Sequence, residues 1–137
     1  MIKIILPIEP TGQQRPRFTR IGRFHKAYKS SKQKQEESKI LYFLYQHRPE
    51  KPFTQALNVK IDAYLPIPSS WPKWKKAAAQ NNEIRPAKKP DIDNLAKQVL
   101  DSMNKIFWQD DKQIVGLIVR KFYDSNPRWE IEVSEAN

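Results

Sequence analysis

One segment of this sequence has a spacing of apolar residues that constrains the fold more than any other. Between residues 93 and 105 the apolar side chains recur every three or four positions, which predicts a helix with one core-facing stripe. The stripe consists of Leu95, Ala96, Val99, Leu100 and Met103. Asp93 is the expected N-cap of this helix, because its side chain is able to accept a hydrogen bond from an early backbone N–H.

Alternating apolar residues predict β-strands on both sides of that helix. Residues 114–122 and 128–133 alternate clearly, and residues 124–127 suit a hairpin turn between them. An aliphatic run predicts a further strand at 2–9, and partial alternation predicts one at 55–66.

The remaining segments complete one small domain. A helix is expected at about 32–47, a short basic helix within 69–79, and a loop or irregular hairpin over 10–30. The predicted order is β-α-β-(short α)-α-β-β, which indicates an α/β (α+β) fold with a small mixed sheet and helices packed on it. A chain of 137 residues fits a single domain spanning 1–137.

Composition excludes several classes of protein and site. There are no cysteines, so disulfides, thiolate metal sites and cysteine nucleophiles are excluded, and two histidines are too few for a histidine-rich metal site. Apolar residues make up 39% of the chain, but no apolar run approaches the roughly 20 residues that a membrane span requires. The first residues lack the basic lead and cleavage site of a signal peptide, so we expect a cytoplasmic protein.

The charge of the chain is large and unevenly distributed. Lysine and arginine number 25 against 15 acidic residues, which gives a net charge of +10. Residues 1–90 carry a net charge of +13, whereas residues 91–137 carry −3. A basic majority suits a polyanion such as nucleic acid. An acidic cluster within such a protein would repel phosphate unless a divalent cation neutralised it.

Two pairs of aspartates supply that cluster. Asp91 and Asp93 stand where the chain enters the predicted helix, and their side chains are expected to converge if Asp91 is extended. Lys97 lies one turn beyond Asp93 on the same helix face. Asp110 and Asp111 precede the strand at 114, and one of them is expected to complete a three-carboxylate pocket if that strand neighbours the helix start.

Such a pocket would suit phosphodiester hydrolysis. Oxygen ligands without cysteine favour a hard cation such as Mg²⁺ or Mn²⁺, which polarises a phosphoryl oxygen and helps to generate hydroxide. A nearby lysine is able to stabilise the charge that develops in the transition state. Taken singly, Asp93 is an ordinary helix cap, Lys97 a solvated residue and Asp110-Asp111 a polar turn. Their combination in a strongly basic chain favours metal-dependent phosphate chemistry.

These residues form a pattern that resembles a known family. The stretches that carry it are Lys89-Pro90-Asp91-Ile92-Asp93-Asn94-Leu95-Ala96-Lys97 and Asp110-Asp111-Lys112-Gln113-Ile114. Joined in this order, they closely resemble the signature of the RusA family of Holliday junction resolvases. The resemblance is strong over 88–122. It is looser over 13–30, where Gln14-Arg15-Pro16-Arg17-Phe18 is similar to the basic loop of many prophage-borne members.

The resemblance implies an activity and a set of site residues. It implies a Mg²⁺-dependent endonuclease that acts as a homodimer and nicks two strands symmetrically at a four-way DNA junction, in recombination and repair. The metal-binding aspartates would be Asp91, Asp93 and Asp111, and Lys97 would be the catalytic lysine.

At three further positions this chain either matches the family pattern or departs from it. Asp110 and Asp101 match family acids that are less central, and the role of Asp101 is expected to be structural or supportive. Many members carry glycine where this chain has Lys105, so the turn after the helix is expected to differ slightly.

The N-terminal half supplies candidate DNA contacts. Cations of the loop are expected to follow phosphates, and its phenylalanines are available to stack at a branch point, although a surface loop docked on the core is an equally good interpretation. The candidates are Arg15, Arg17, Phe18, Arg20, Arg23, Phe24 and Lys26. Lys88 and Lys89 adjoin the acidic site and would hold the scissile backbone. A two-fold dimer would match the approximate symmetry of a four-way junction.

Three questions stay open at the level of sequence. The basic-aromatic patch at 73–76 either contacts DNA or flanks a dimer surface. Pro90-Asp91 with Asp110-Asp111-Lys112 also satisfies the loose pattern of restriction-like nucleases, which expects its Asp-x-Lys on a strand and its lysine in the active site. A non-catalytic module that binds branched DNA is the other alternative.

Overall fold

A four-stranded mixed sheet forms the frame of the molecule. The computed structural model describes residues 1–13, 17–21, 24–28 and 31–137, and of the strands at 17–21 and 24–28 it describes the backbone alone. The elements, in chain order, are β1 (Ile2–Leu6), β2 (Arg17–Ile21), β3 (Phe24–Tyr28), α1 (Ser31–His47), β4 (Leu57–Pro66), α2 (Lys73–Gln80), α3 (Ile92–Met103), a 3₁₀ turn (Asp111–Gln113), β5 (Ile114–Asp124) and β6 (Arg128–Glu135). This arrangement confirms the predicted α+β class.

The strand order corrects one prediction. The sheet runs β1-β6-β4-β5, with β4 and β5 parallel and the other pairs antiparallel. The expected hairpin turn at 124–127 is therefore wrong, because β5 and β6 lie on opposite sides of β4 rather than next to each other. Alternation predicts that a segment is a strand but not which strand it pairs with, since pairing depends on contacts far apart in the chain.

One face of the sheet holds the core. Along β4 the buried side chains alternate, and Val59 and Ile61 point to the same side as Trp129 and Ile131 of β6. Helices α1 and α3 cover this side, with Leu44 from α1 and Val99 from α3 fully buried in the same cluster. The predicted stripe of α3 is thus confirmed as a core face.

The opposite face of the sheet carries charged side chains in pairs. Arg120 of β5 donates two hydrogen bonds of 2.7 Å to the buried carboxylate of Asp62 on β4. Lys60 pairs with Glu132 at 3.4 Å on the neighbouring strands. Cations on this face are therefore largely neutralised by carboxylates of the same sheet.

Two smaller elements complete the structure. The segment predicted as a loop or irregular hairpin contains one regular hairpin, β2 paired antiparallel with β3. Helix α2 packs on β5 through Ala79, which is buried with Leu65 and Tyr123. Within the described ranges, no helix is both long enough and apolar enough to cross a bilayer.

Candidate active site at the start of helix α3

The aspartate pair lies at the N-terminus of α3, whose N-cap is two residues earlier in the chain than predicted. Asp91 occupies the N-cap position with an extended backbone (φ −71°, ψ 154°), but its side chain makes no capping hydrogen bond. Asp93 belongs to the first helical turn, so the prediction that it caps the helix is wrong. Its Oδ1 accepts a hydrogen bond from the neighbouring Asn94 N–H at 3.0 Å.

Helix α3 and the start of β5 enclose a surface cleft of about 620 Å³ that brings separate parts of the sequence together. We call it the α3 cleft. Its polar lining consists of Asp93, Lys97, Asp101 and Asp111, and its apolar lining includes Leu117 and Val119 of β5. Asp111 therefore lines the same cleft as Asp93, but the predicted three-carboxylate pocket is not formed in this structure, because Asp91 does not line the cleft.

A buried tryptophan orients Asp111. The Trp108 side chain is fully buried, and its Nε1–H donates a 2.8 Å hydrogen bond to Asp111 Oδ1. This bond leaves Oδ2 available for another ligand. The residue pattern around Trp108 provided no signal for this orienting role.

Asp110 has a structural role that differs from that of Asp111, because it caps the 3₁₀ turn. Its Oδ1 accepts the Lys112 N–H at 3.0 Å, while the Gln113 side chain accepts the Asp110 N–H at 2.9 Å. The hydrogen bond from the Lys112 backbone, aided by the Lys105 ammonium group 3.5 Å away, lowers the pKa of Asp110 below 3.8. Lys105 itself has a φ of 71°, so a lysine here adopts the left-handed conformation that glycine favours.

Asp91 lies in an adjoining cleft rather than in the α3 cleft. We call it the N-terminal cleft, and Asp91 lines it together with Lys89 and Gly12. Gly12 is needed there, since a Cβ atom at this position would lie 2.8 Å from Pro90 Cβ and 3.0 Å from Asn94 Cβ. The N-terminal segment thus packs directly against the beginning of α3.

Lys121 is a residue of the site region that the sequence interpretation missed. It lies on the core-facing side of β5, opposite Ala63, and its Nζ donates hydrogen bonds to the carbonyl oxygens of Lys88 and Pro90. Burial lowers the pKa of its ammonium group, the negative charge of Asp91 opposes that shift, and Lys88 adds to it. The sequence did contain a signal for this residue, because Lys121 interrupts the alternating apolar series of Leu117 and Val119 on the core-facing side of β5.

Gln13 connects the segment before the hairpin with helix α3. Its backbone N–H donates to the carbonyl of Asn94 at 3.2 Å, and its side-chain amide donates to Asp101 Oδ2 at 2.9 Å. Asp101 thus contacts the N-terminal segment while lining the α3 cleft, in keeping with the supportive role expected of it.

The structure does not describe the side chains of the predicted DNA contacts in the hairpin. Arg15 and Arg23 fall outside the described residues altogether. The other five candidates lie on described backbone, namely Arg17, Phe18 and Arg20 on β2 and Phe24 and Lys26 on β3. Their side chains are not described, so these assignments stay predictions. Lys88 and Lys89 are exposed immediately before Asp91.

The donor chemistry of the α3 cleft fits a hard divalent cation bound by few protein ligands. Its possible ligands are carboxylates, and neither histidine nor cysteine lines it. In the described ranges, no three acidic or histidine side chains gather closely enough to hold a metal ion by themselves. Mg²⁺ commonly takes one or two carboxylates and completes its shell with water and phosphate oxygens. The cleft matches that arrangement, with Asp93 and Asp111 as its candidate ligands.

The pattern of restriction-like nucleases is not matched by the structure. Asp111 and Lys112 belong to a 3₁₀ turn and not to a strand. Lys112 is exposed and does not line the α3 cleft, whereas Lys97 does.

One family model and two known proteins resemble this chain over two thirds of its length or more. The family model described as "Endodeoxyribonuclease RusA" matches residues 7–134. A Bacillus subtilis (strain 168) protein, described as uncharacterized protein YqaN, is 37% identical over 139 residues, which cover 99% of this chain and 97% of that protein. A Lactococcus phage r1t protein, described as crossover junction endodeoxyribonuclease rusA, is 30% identical over 97 residues, covering 67% of this chain and 66% of that protein.

Proposed function

We propose, from the premise that this chain belongs to the RusA endodeoxyribonuclease family, that it resolves four-way DNA junctions by paired, symmetric nicks and acts as a homodimer with a divalent cation. Membership makes the chain a crossover junction endodeoxyribonuclease. The proposal concerns the substrate geometry, the ion and the assembly. The observation that carries it is that Asp93 and Lys97 of α3 and Asp111 before β5 line a single cleft.

We assign Asp93 and Asp111 to hold the ion, which would be Mg²⁺, or Mn²⁺ in its place. When bound, such a cation polarises a phosphoryl oxygen and lowers the pKa of a coordinated water. Asp91, the third aspartate of the family pattern, lines the N-terminal cleft, so its participation requires its side chain to turn toward the α3 cleft. Its exposed position at the extended N-cap leaves it free to rotate.

Lys97 and the cations before Asp91 act on the DNA strand itself. The Lys97 ammonium group lines the cleft one helical turn from Asp93, where it would stabilise the negative charge that develops during phosphodiester cleavage. Lys88 and Lys89 are exposed beside the acidic residues and would hold the scissile backbone. The cleft is thus acidic where the ion binds and basic at its approach.

The proposal is tested by cleavage of labelled DNA. Purified protein should be incubated with four-way, Y-shaped and linear duplex DNA, with and without Mg²⁺. We expect rapid, Mg²⁺-dependent nicking of the four-way junction and little cutting of the linear duplex. A cruciform plasmid should be converted to linear product rather than to a nicked circle, since both nicks occur within one dimeric complex. Equal cutting of all three DNA forms would overturn the proposed substrate.

Single substitutions separate binding from chemistry. We expect Asp93→Asn to abolish cleavage but to leave junction binding unchanged or tighter, because it removes negative charge near phosphate. Glu132→Gln, on the opposite face of the sheet, is the matched control and should cleave normally. Lys97→Ala should lose cleavage while Lys112→Ala retains it, and the reverse result would support the restriction-like alternative.

A further inference from the structure

The segment from α2 to Asp91 carries a positive charge of which the catalytic assignment uses only Lys88 and Lys89. Residues 73–89 contain five lysines and one arginine against a single acid, Glu83. In the described parts of the chain, none of these six cations forms an ion pair with a carboxylate. This contrasts with the open face of the sheet, where Lys60 and Arg120 are both paired.

Aromatic contacts place the two ends of this segment on one surface. Lys75 Nζ lies 4.1 Å from the ring centroid of Trp71, and Lys88 Nζ lies 5.6 Å from that of Tyr123. The rings of Trp71 and Tyr123 are in edge-to-face contact, with centroids 5.3 Å apart. Lys75 on α2 and Lys88 beside the active site therefore flank the same aromatic pair, although 13 positions separate them in sequence.

An exposed tryptophan stands between two lysines in the sequence of α2. The side chain of Trp74 is 70% exposed, whereas Trp108 and Trp129 are fully buried. Its neighbours on α2 are Lys73 and Lys75. An indole at this exposure contributes little to the core, while its face is available to a nucleotide.

We propose that α2 and the following loop form a second DNA-binding surface that holds one duplex arm of the branched substrate. We call this surface the α2 track, and it consists of Lys73, Trp74, Lys75, Lys76 and Lys88. Its lysines would neutralise backbone phosphates, and Lys88 connects it to the strand held at the active site. Charge complementarity identifies DNA as the occupant, because lysines without a carboxylate partner on α2 and beside the candidate active site suit the same polyanion. This inference rests on the proposed function.

The test compares two triple variants with the same loss of charge. One carries Lys73→Ala, Lys75→Ala and Lys76→Ala, and the control carries Lys3→Ala, Lys51→Ala and Lys60→Ala. Junction affinity is measured without Mg²⁺ between about 50 and 200 mM salt. We expect the α2 variant to bind at least about tenfold more weakly than the control, with a salt slope reduced by about 2 to 3. Equal affinities and equal slopes for the two variants would overturn the proposal.

Two further measurements distinguish a loss of DNA contacts from a loss of folding in the triple variant. The Lys73→Ala, Lys76→Ala double variant leaves the Lys75–Trp71 contact intact, and it should show about two thirds of the reduction in slope. Junction DNA should quench the fluorescence of the wild-type protein, and Trp74→Phe should remove most of that quenching. Quenching that is unchanged in Trp74→Phe would exclude Trp74 from the surface.

The outcome for this surface is distinct from the outcome for the proposed function. A wild-type protein that fails to cleave junctions overturns the proposed function. A wild-type protein that cleaves junctions, combined with an α2 variant that binds like its control, overturns the α2 track alone.

Discussion

The amine of Lys121 lies 2.9 Å from the carbonyl oxygen of Pro90 and also donates to that of Lys88. This lysine comes from the core-facing side of β5, so it ties the segment before Asp91 to the sheet. Asp91 stands at the end of that segment and Asp111 just before β5. Lys121 therefore fixes the distance between the two parts of the chain that supply the acidic residues.

Replacing Lys121 should impair cleavage without comparable loss of DNA binding. Lys121→Met removes both hydrogen bonds to the segment before Asp91, and a misplaced carboxylate lowers kcat by about 10-fold to 100-fold. The lost hydrogen bonds should cost about 1–3 kcal/mol in the free energy of unfolding. Single-turnover cleavage and junction binding without metal separate the two effects. Lys60→Met, a strand lysine on the opposite face, is the control, and wild-type kcat in Lys121→Met would contradict the assigned role.

The hydrogen bond from Trp108 to Asp111 should be needed for full activity. Trp108→Phe keeps an aromatic ring in the core but removes the N–H that holds Asp111 Oδ1. Partners that orient a metal ligand contribute about 10-fold to 100-fold in metal affinity or activity, so we expect a loss of that size. Titrating Mg²⁺ in a cleavage assay should show a raised half-saturating concentration. Trp129→Phe, at an equally buried tryptophan that does not line the cleft, should leave that concentration unchanged.

Gly12→Ala should disturb the start of α3. The added Cβ would meet Pro90 Cβ at 2.8 Å and Asn94 Cβ at 3.0 Å, so backbone on one side must move. We expect a loss of about 1–3 kcal/mol in unfolding free energy, together with slower cleavage. Urea unfolding and cleavage rates measure the two effects. Normal stability would mean that the N-terminal segment packs less closely on α3 than the structure indicates.

Asp110 should make stability depend on pH in the acidic range. Its folded pKa lies below the ordinary 3.8, so its charge stabilises the fold at pH values above 3.8. This contribution is lost as the pH falls through the lower folded pKa. Asp110→Asn keeps an oxygen that can accept the Lys112 N–H but lacks the charge. We expect the variant to be less stable than wild type at neutral pH and the difference to shrink as the pH falls below the ordinary pKa of an aspartate in urea titrations. A difference that is independent of pH would contradict this account.

Local patterns were sufficient to predict most elements of the fold. The α3 stripe and the alternation in β4 and β6 are confirmed. Apolar residues spaced with the period of a helix or a strand lie on one face only in that conformation, so burying them together requires it. The hairpin at 124–127 is wrong, although the turn residues suit one. Insertion of β4 between β5 and β6 depends on contacts between residues far apart in sequence, which no local pattern records.

The sequence by itself determined the fold class, the family and the identities of the acidic residues, because these depend on residue types at fixed spacings. Only the tertiary structure decided which of those residues share a cleft. It placed Asp111 with Asp93 and Lys97, and it placed Asp91 in the adjoining cleft. It also showed the role of Lys121, whose partners are backbone carbonyls more than 30 residues earlier. Every residue has a backbone carbonyl oxygen, so the sequence does not indicate which of them accepts a hydrogen bond from Lys121.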